Sequence, residues 1–386
     1  MTTVRSIATL TPPYSINQED ALHIAKLRNQ PRDSQEFWMR AIYNKSGVHE
    51  RYSVLLEQSS SHLTSPEQRQ SFYNDKTAPH DLGPTTGQRM QHYNQHAPRL
   101  AVQVCETALH EASITASEIT HLITVSCTGF AAPGFDIHII QELAIRNDVA
   151  RTHIGFMGCH GAMNALRVAD HIVRANPLAK VLICAVELCS LHYQYDFQPD
   201  QIIANALFAD GAAAVCLTAD LPGTRSSNNT GNHTENFEVK YASPTLKLLG
   251  NGSHLFPNTL EAMTWQVRDH GFAMSLSPHV PELIESQLKP WFETWLSTFG
   301  FSVADIEHWA IHPGGPRILD AVLNSLSLAQ EKAETSREVL RCFGNMSSPT
   351  SFFVLHALQG QRPQGKCVML GFGPGLAVET ALLEFQ

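Results

Sequence analysis

Residues 154–162 read Ile154-Gly155-Phe156-Met157-Gly158-Cys159-His160-Gly161-Ala162, a short apolar run that stops at a glycine-flanked cysteine. Beyond it, Ala165, Leu166, Val168, Ala169 and Ile172 recur at helical spacing. Strand, tight turn and helix therefore follow one another, the alternation of a layered α/β fold. Cys159 falls at the helix N-terminus, where unpaired N–H groups and the helix dipole favour a thiolate. Gly158, Gly161 and Ala162 are small enough to let a substrate carbonyl approach the backbone, as at a nucleophile elbow. The competing reading is a buried cysteine that packs a tight turn, and the flanking glycines favour the nucleophile.

A thiolate nucleophile calls for a histidine. Among the 20 histidines, His312 stands out because it ends the apolar run Trp309-Ala310-Ile311 and precedes Pro313-Gly314-Gly315-Pro316. That is the C-terminal edge of a strand, where α/β sites gather. His160 points away if the helix begins beside it, and reads as structural. A third piece is Gly344-Asn345-Met346-Ser347-Ser348-Pro349, a turn before the helical stretch at 351–358. Asn345 can cap that helix, or its amide can donate to a developing oxyanion. No histidine pair has the HExxH or a comparable ligand spacing, so no metal site is expected.

The rest of the chain bounds these readings. Its 386 residues are 43% hydrophobic and 16% charged, enough for two packed units with a large interior. A net charge of -9 argues against nucleic acid as the main ligand. The 8 cysteines contain no CxxC pair and mostly sit in apolar runs, as buried free thiols of a reducing cytosol do. No apolar run is long enough for a membrane span, and no signal-peptide pattern opens the chain, so a cytoplasmic enzyme is expected. Residues 4–9 and 121–126 read as strands. Asn17 is placed to cap a helix through Ala21, Ile24 and Leu27, and Pro98 to open another that runs to about Ala108.

Two internal echoes indicate duplication. Residues 114–123 and 301–310 share a polar turn, an acidic residue, Ile, a His two positions on, and a strand. Residues 211–215 and 375–379 form the second pair. With offsets of roughly 165 to 190 residues, they suggest two similar α/β halves. The polar stretch GTRSSNNTGNHTENFE (223–238) reads as a surface loop between them, giving units 1–230 and 231–386.

GCHGA around Cys159, HPGGPRILD from His312 and GNMSSPT around Asn345 resemble the type III polyketide synthases, the chalcone and stilbene synthase group. LFADGAAAV (207–215) and GFGPGLAVE (371–379) resemble the same family, in the same order, over about residues 4 to 384. The resemblance implies a thiolase-like fold of two halves layered α/β/α/β/α, and a homodimer. It implies a Cys159–His312–Asn345 triad, with no cofactor beyond CoA thioester substrates. Cys159 would take an acyl group from an acyl-CoA starter and His312 would hold its thiolate as an ion pair. His312 and Asn345 would stabilise the enolate left when malonyl-CoA loses carbon dioxide. Phe208 matches the family's gatekeeper between the CoA tunnel and the reaction cavity.

Departures from the plant pattern bear on product. Met274 falls where the family has a second gatekeeper phenylalanine. Cys127 takes the place of a small pocket residue, His192 of a threonine, Trp265 of a glycine, and Ala132 of a methionine inserted across the dimer. They resemble the microbial branch, and imply a fatty acyl starter and an alkylresorcinol or alkylpyrone product. Lys45, with Arg51 nearby, matches the basic residues that would meet the CoA phosphates. The rivals are a ketoacyl-carrier-protein synthase III-like enzyme of fatty acid synthesis, and a non-catalytic acyl-binding homologue.

Overall fold

The computed structural model describes residues 1–60, 65–76, 78, 80–220 and 246–386. Strands β1 (Thr2–Leu10) and β2 (Ser15–Asn17) lead into α1 (Gln18–Asn29), α2 (Asp33–Lys45) and β3 (Glu50–Tyr52). Asn17 caps α1 through its side chain, which accepts the Asp20 N–H over 2.8 Å. Then come α3 (Thr86–Ala112), β4 (His121–Ser126), α4 (Phe135–Glu142), β5 (Ala150–Gly155) and α5 (Gly161–Ala175). β6 (Lys180–Leu188), α6 (Pro199–Leu207) and β7 (Asp210–Ala219) follow. Past the undescribed segment lie β8 (Leu246–Leu255), β9 (Met263–Arg268), β10 (Gly271–Leu276), α7 (Val280–Ser297) and β11 (His308–Ile311). The chain closes with α8 (Pro316–Leu326), α9 (Glu334–Phe343), α10 (Thr350–Gly360), β12 (Gly365–Gly373) and β13 (Ala377–Phe385).

The helix expected to open at Pro98 begins instead at Thr86. Thr85 and Gln88 form a capping box there, and Pro98 lies inside the helix. Its ring removes one N–H, and the carbonyl it would have met belongs to Asn94, which is exposed and can bind water.

Nine strands form one sheet in the order β11-β12-β13-β8-β1-β7-β6-β4-β5. Outward from the central β1/β8 pair, each side repeats one pattern: two antiparallel pairings, then a parallel one. β4 therefore corresponds to β11, and β7 to β13, as the two sequence echoes require. Even the lead-in turns match. Glu118 accepts the Thr115 N–H and Asp305 the Ser302 N–H, both over 2.8 Å.

Burial alternates along the strands and sets the layers. In β6, Val181, Ile183 and Ala185 face a core with α5 and α10, while Leu182, Cys184 and Val186 face a second core under α3. In β12, Cys367 and Met369 face the first core, and Val368 and Leu370 a third under α7 and α8. Both faces of these strands are covered, so they read as continuous apolar runs rather than alternating ones. The central helices α5 and α10 touch strands of both halves. The layers are thus α3 and α4, half-sheet, α5 and α10, half-sheet, α7 and α8, the five-layered thiolase-like fold. All eight cysteines are free. The 223–238 stretch, read as the boundary loop, lies outside the described residues. Among the described residues no helix is long and apolar enough to cross a membrane.

Candidate active site

Cys159 sits between the end of β5 and the start of α5, with His160 at the helix N-cap. The turn is tight: Phe156 has φ 57° and Gly158 φ 79°. A Cβ at Gly158 would lie 2.3 Å from Cδ of Pro374, and one at Gly161 2.9 Å from Cγ1 of Val125. These glycines are therefore demanded by close packing against β4 and the loop after β12. Cys159 is 8% exposed and lines an apolar cavity.

Asn345 is brought to Cys159 by a parallel backbone bridge. The Ala209 N–H donates to the Asn345 carbonyl and the Asn345 N–H to the Leu207 carbonyl, each over 2.9 Å. Phe208 lies in that bridge. α10 begins at Thr350 with Pro349 at its N-cap, so Asn345 does not cap it. Its Oδ1 instead accepts the Ser347 N–H over 2.8 Å. The Ser347 hydroxyl and the Asn345 amide lie near enough to Cys159 to favour its thiolate.

His312 follows β11, and its N–H donates to the Leu370 carbonyl over 2.7 Å. Gly371 makes room for it, since a Cβ there would lie 3.2 Å from the His312 Cβ. The Ser351 hydroxyl lies 3.5 Å from Nδ1, and Nε2 is buried with no partner. His160 is held apart, with Nδ1 bonded to Oδ1 of Asn164 over 2.8 Å.

Dehydration opposes charge on each group taken singly. Burial pushes the Cys159 thiol up to about 11, against the donors Ser347 and Asn345. Burial pushes His312 down to about 3, helped by nearby His160. Each environment taken by itself therefore favours the neutral thiol and the neutral imidazole.

Glu187 was missed by sequence reading, although an acid in the apolar run of β6 is a usable signal. It is fully buried and accepts the Cys127 N–H at 2.9 Å and the hydroxyls of Thr128 and Ser348, each at 2.7 Å. Burial pushes its carboxyl up to about 7.

Phe208, Met274, Cys127, His192 and Trp265 all line the cavity with Cys159. Trp265 and Met274 are directly opposite one another in the β9/β10 hairpin, so they share a face. The Trp265 indole N–H donates to the Cys127 carbonyl over 2.8 Å, and the Gly158 N–H donates to the Cys127 sulfur at 3.1 Å. The Phe272 N–H donates to Nδ1 of His192 over 3.0 Å, so its Nε2–H donates to the Thr128 carbonyl at 2.7 Å. Burial pushes His192 down to about 3, so it is a neutral brace.

The two basic residues part company. Lys45 is exposed at the end of α2. Arg51 is buried, with Nη1 donating to the carbonyls of Asn205 at 2.5 Å and Phe208 at 3.1 Å. It braces the gatekeeper turn and is not a free surface cation.

A cysteine at the mouth of a central helix, facing an apolar cavity inside a five-layered α/β/α/β/α fold, marks the thiolase-like condensing enzymes. Comparison with known proteins narrows the class. The family described as Chalcone and stilbene synthases, N-terminal domain, matches residues 2–221, and its C-terminal domain matches 248–385. The chain belongs to the chalcone and stilbene synthase family and is a type III polyketide synthase, an acyl-transferring condensing enzyme. It is 31% identical over 386 residues to the alpha-pyrone synthesis polyketide synthase-like Pks18 of Mycobacterium tuberculosis, covering 99% of this chain and 90% of that one. PKS-I from the brown alga Ectocarpus siliculosus superposes with a TM-score of 0.85 at 28% identity, covering 100% of this chain and 98% of that one. The 1,3,6,8-tetrahydroxynaphthalene synthase of Streptomyces coelicolor superposes at 0.82 with 26% identity, covering 100% and 99%.

Proposed function

We propose that Cys159 takes an aliphatic acyl group from an acyl-CoA and that the chain is extended with malonyl-CoA. In the loading step the sulfur attacks the thioester carbonyl and CoA leaves as its thiol. Malonyl-CoA then loses carbon dioxide, and the C–C bonding pair becomes an enolate. The Asn345 amide N–H and the His312 Nε2–H donate to the enolate oxygen. A Ser351 hydroxyl turned towards Nδ1 keeps that proton on Nε2. The enolate carbon attacks the Cys159 thioester, expels the sulfur, and leaves a longer chain on CoA that can be reloaded.

The observation that carries this reading is a buried Cys159 on the wall of an apolar cavity at the N-terminus of α5, together with an unpartnered, buried Nε2 of His312. The largely apolar walls of the cavity support a starter with an aliphatic stem. The product class named for Pks18 supports a pyrone, with an alkylresorcinol as the aldol alternative. Lys45 is the cation for the CoA phosphates. CoA thioesters are substrates and no further cofactor is called for. The working unit is a cytoplasmic homodimer of chains whose halves are 1–230 and 231–386.

Purified protein given malonyl-CoA and an aliphatic acyl-CoA, with no carrier protein, should form polyketides visible by mass spectrometry. Strict dependence on a carrier protein would move the chain to the ketoacyl synthases of fatty acid synthesis.

A further inference from the structure

The described residues contain four buried arginines, Arg28, Arg51, Arg69 and Arg89. Three are engaged. Arg69 is paired with Asp20. Arg89 donates to the carbonyls of Leu191 and Tyr193, each at 2.8 Å. Arg51 is held by carbonyls, as described above. Arg28, in the last turn of α1, is different. It is 7% exposed, and its guanidinium lies 5.1 Å from the Tyr73 ring centroid and 5.2 Å from that of Tyr193. Among the described residues it has neither a hydrogen-bond acceptor nor a carboxylate within ion-pair distance.

A guanidinium stays charged inside a protein. Two aromatic faces attract a cation but leave its five N–H donors unused. A buried charge without a counter-ion is costly, and its desolvation is already complete when a ligand arrives. Arg28 lines the same cavity as Cys159, and so does Tyr43, whose hydroxyl is buried without a partner. The lining of this cavity also includes Ile16, Ile24 and Leu56, which suit a methylene chain. Asp210, the acid that acts on the same Tyr73, is committed elsewhere. It accepts the Ser190 N–H at 2.7 Å and the Val54 N–H at 2.9 Å. Among the described residues, the surroundings of Arg28 therefore hold a positive charge without a partner carboxylate, and an open hydroxyl donor.

We propose that Arg28 and Tyr43 bind a carboxylate at the end of the starter remote from its thioester. The preferred starter is then the CoA half-thioester of an aliphatic dicarboxylic acid. This rests on the type III polyketide synthase reading and specifies its substrate. A guanidinium–carboxylate pair closed off from water is charge-assisted and can be bidentate. The product keeps the carboxylate, because only the thioester carbon reacts.

The test compares starters matched in length: succinyl- with butanoyl-CoA, suberoyl- with octanoyl-CoA, and dodecanedioyl- with dodecanoyl-CoA. At the length that spans the cavity, kcat/KM for the carboxylated starter should exceed that of its methyl-ended partner by about tenfold or more. Arg28→Met should reverse the preference, Arg28→Lys should keep part of it, and Tyr43→Phe should weaken it. Malonyl-CoA decarboxylation is followed in the same preparations. If decarboxylation proceeds and the methyl-ended starters are used equally well or better at every length, the carboxylate site is refuted and the polyketide synthase reading stands. If neither decarboxylation nor loading occurs with any starter, that reading fails and the proposal falls with it. Should Arg28→Met not fold, the wild-type pairs and Tyr43→Phe decide the matter.

Discussion

The Ser347 N–H donates to Oδ1 of Asn345 over 2.8 Å, and this bond sets the orientation of the amide beside Cys159. With Oδ1 occupied, Nδ2 and its two hydrogens are the end available as a donor. Asn345→Asp keeps the Ser347 bond and the shape but replaces the donor with a carboxylate oxygen. Carbon dioxide release from malonyl-CoA should fall by about a hundredfold or more while the fold is retained. A variant within a few-fold of wild type would show that Asn345 is only a turn residue.

Burial outweighs the Ser347 and Asn345 donors and leaves the Cys159 thiol at about 11, and in the proposed mechanism a proton passed to the imidazole offsets this. In His312→Ala the burial remains and the proton acceptor is gone. Alkylation of Cys159 by iodoacetamide at neutral pH should slow by about tenfold or more, and recover only as pH rises towards the high value. Wild type should react below neutrality. Superimposable pH profiles would mean that the sulfur needs no imidazole.

Trp265 and Met274 face each other across a hairpin and close one wall of the cavity. Trp265→Gly removes the indole and its bond to the Cys127 carbonyl. Products should shift to more extensions or bulkier starters, at a stability cost of roughly 1–3 kcal/mol because the indole is only half-buried. An unchanged product distribution would place the size limit elsewhere.

Glu187 ties stability to pH. Its carboxyl is raised from 4.5 to about 7 by burial, so the folded chain binds the proton more tightly than the unfolded one. Its contribution is full below about pH 4.5 and is lost as pH rises through about 7, by roughly 3 kcal/mol. Glu187→Gln cannot titrate. Relative to wild type it should gain in melting temperature between pH 5 and pH 8, and parallel curves would rule out a titrating Glu187.

Local signals were legible in the sequence. The glycine-flanked Cys159, His312 at a strand end, the Asn17 cap and the paired echoes all rest on neighbours within a few residues. What escaped depends on contacts between distant segments. Pro98 reads as a helix start in sequence, and the Thr85–Gln88 capping box prevails because the solvent exposure of Asn94 lets the proline sit inside the helix. Glu187 and Arg28 look like ordinary charges in sequence, and only the fold shows one buried among hydroxyls and the other, among the described residues, without a counter-ion. Arg51 read as a surface cation for the same reason: the sequence records charge, and burial is set by α6 and the Phe208 turn.

The account stands on Cys159 as the residue that carries the acyl chain. Incubating the protein with octanoyl-CoA and with suberoyl-CoA, in the absence of malonyl-CoA, and weighing its peptides by mass spectrometry tests this directly. The peptide containing Cys159 should gain the mass of one acyl group, lose it on treatment with hydroxylamine, and gain nothing in Cys159→Ala. An acyl group found on another residue, or retained by Cys159→Ala, would contradict it.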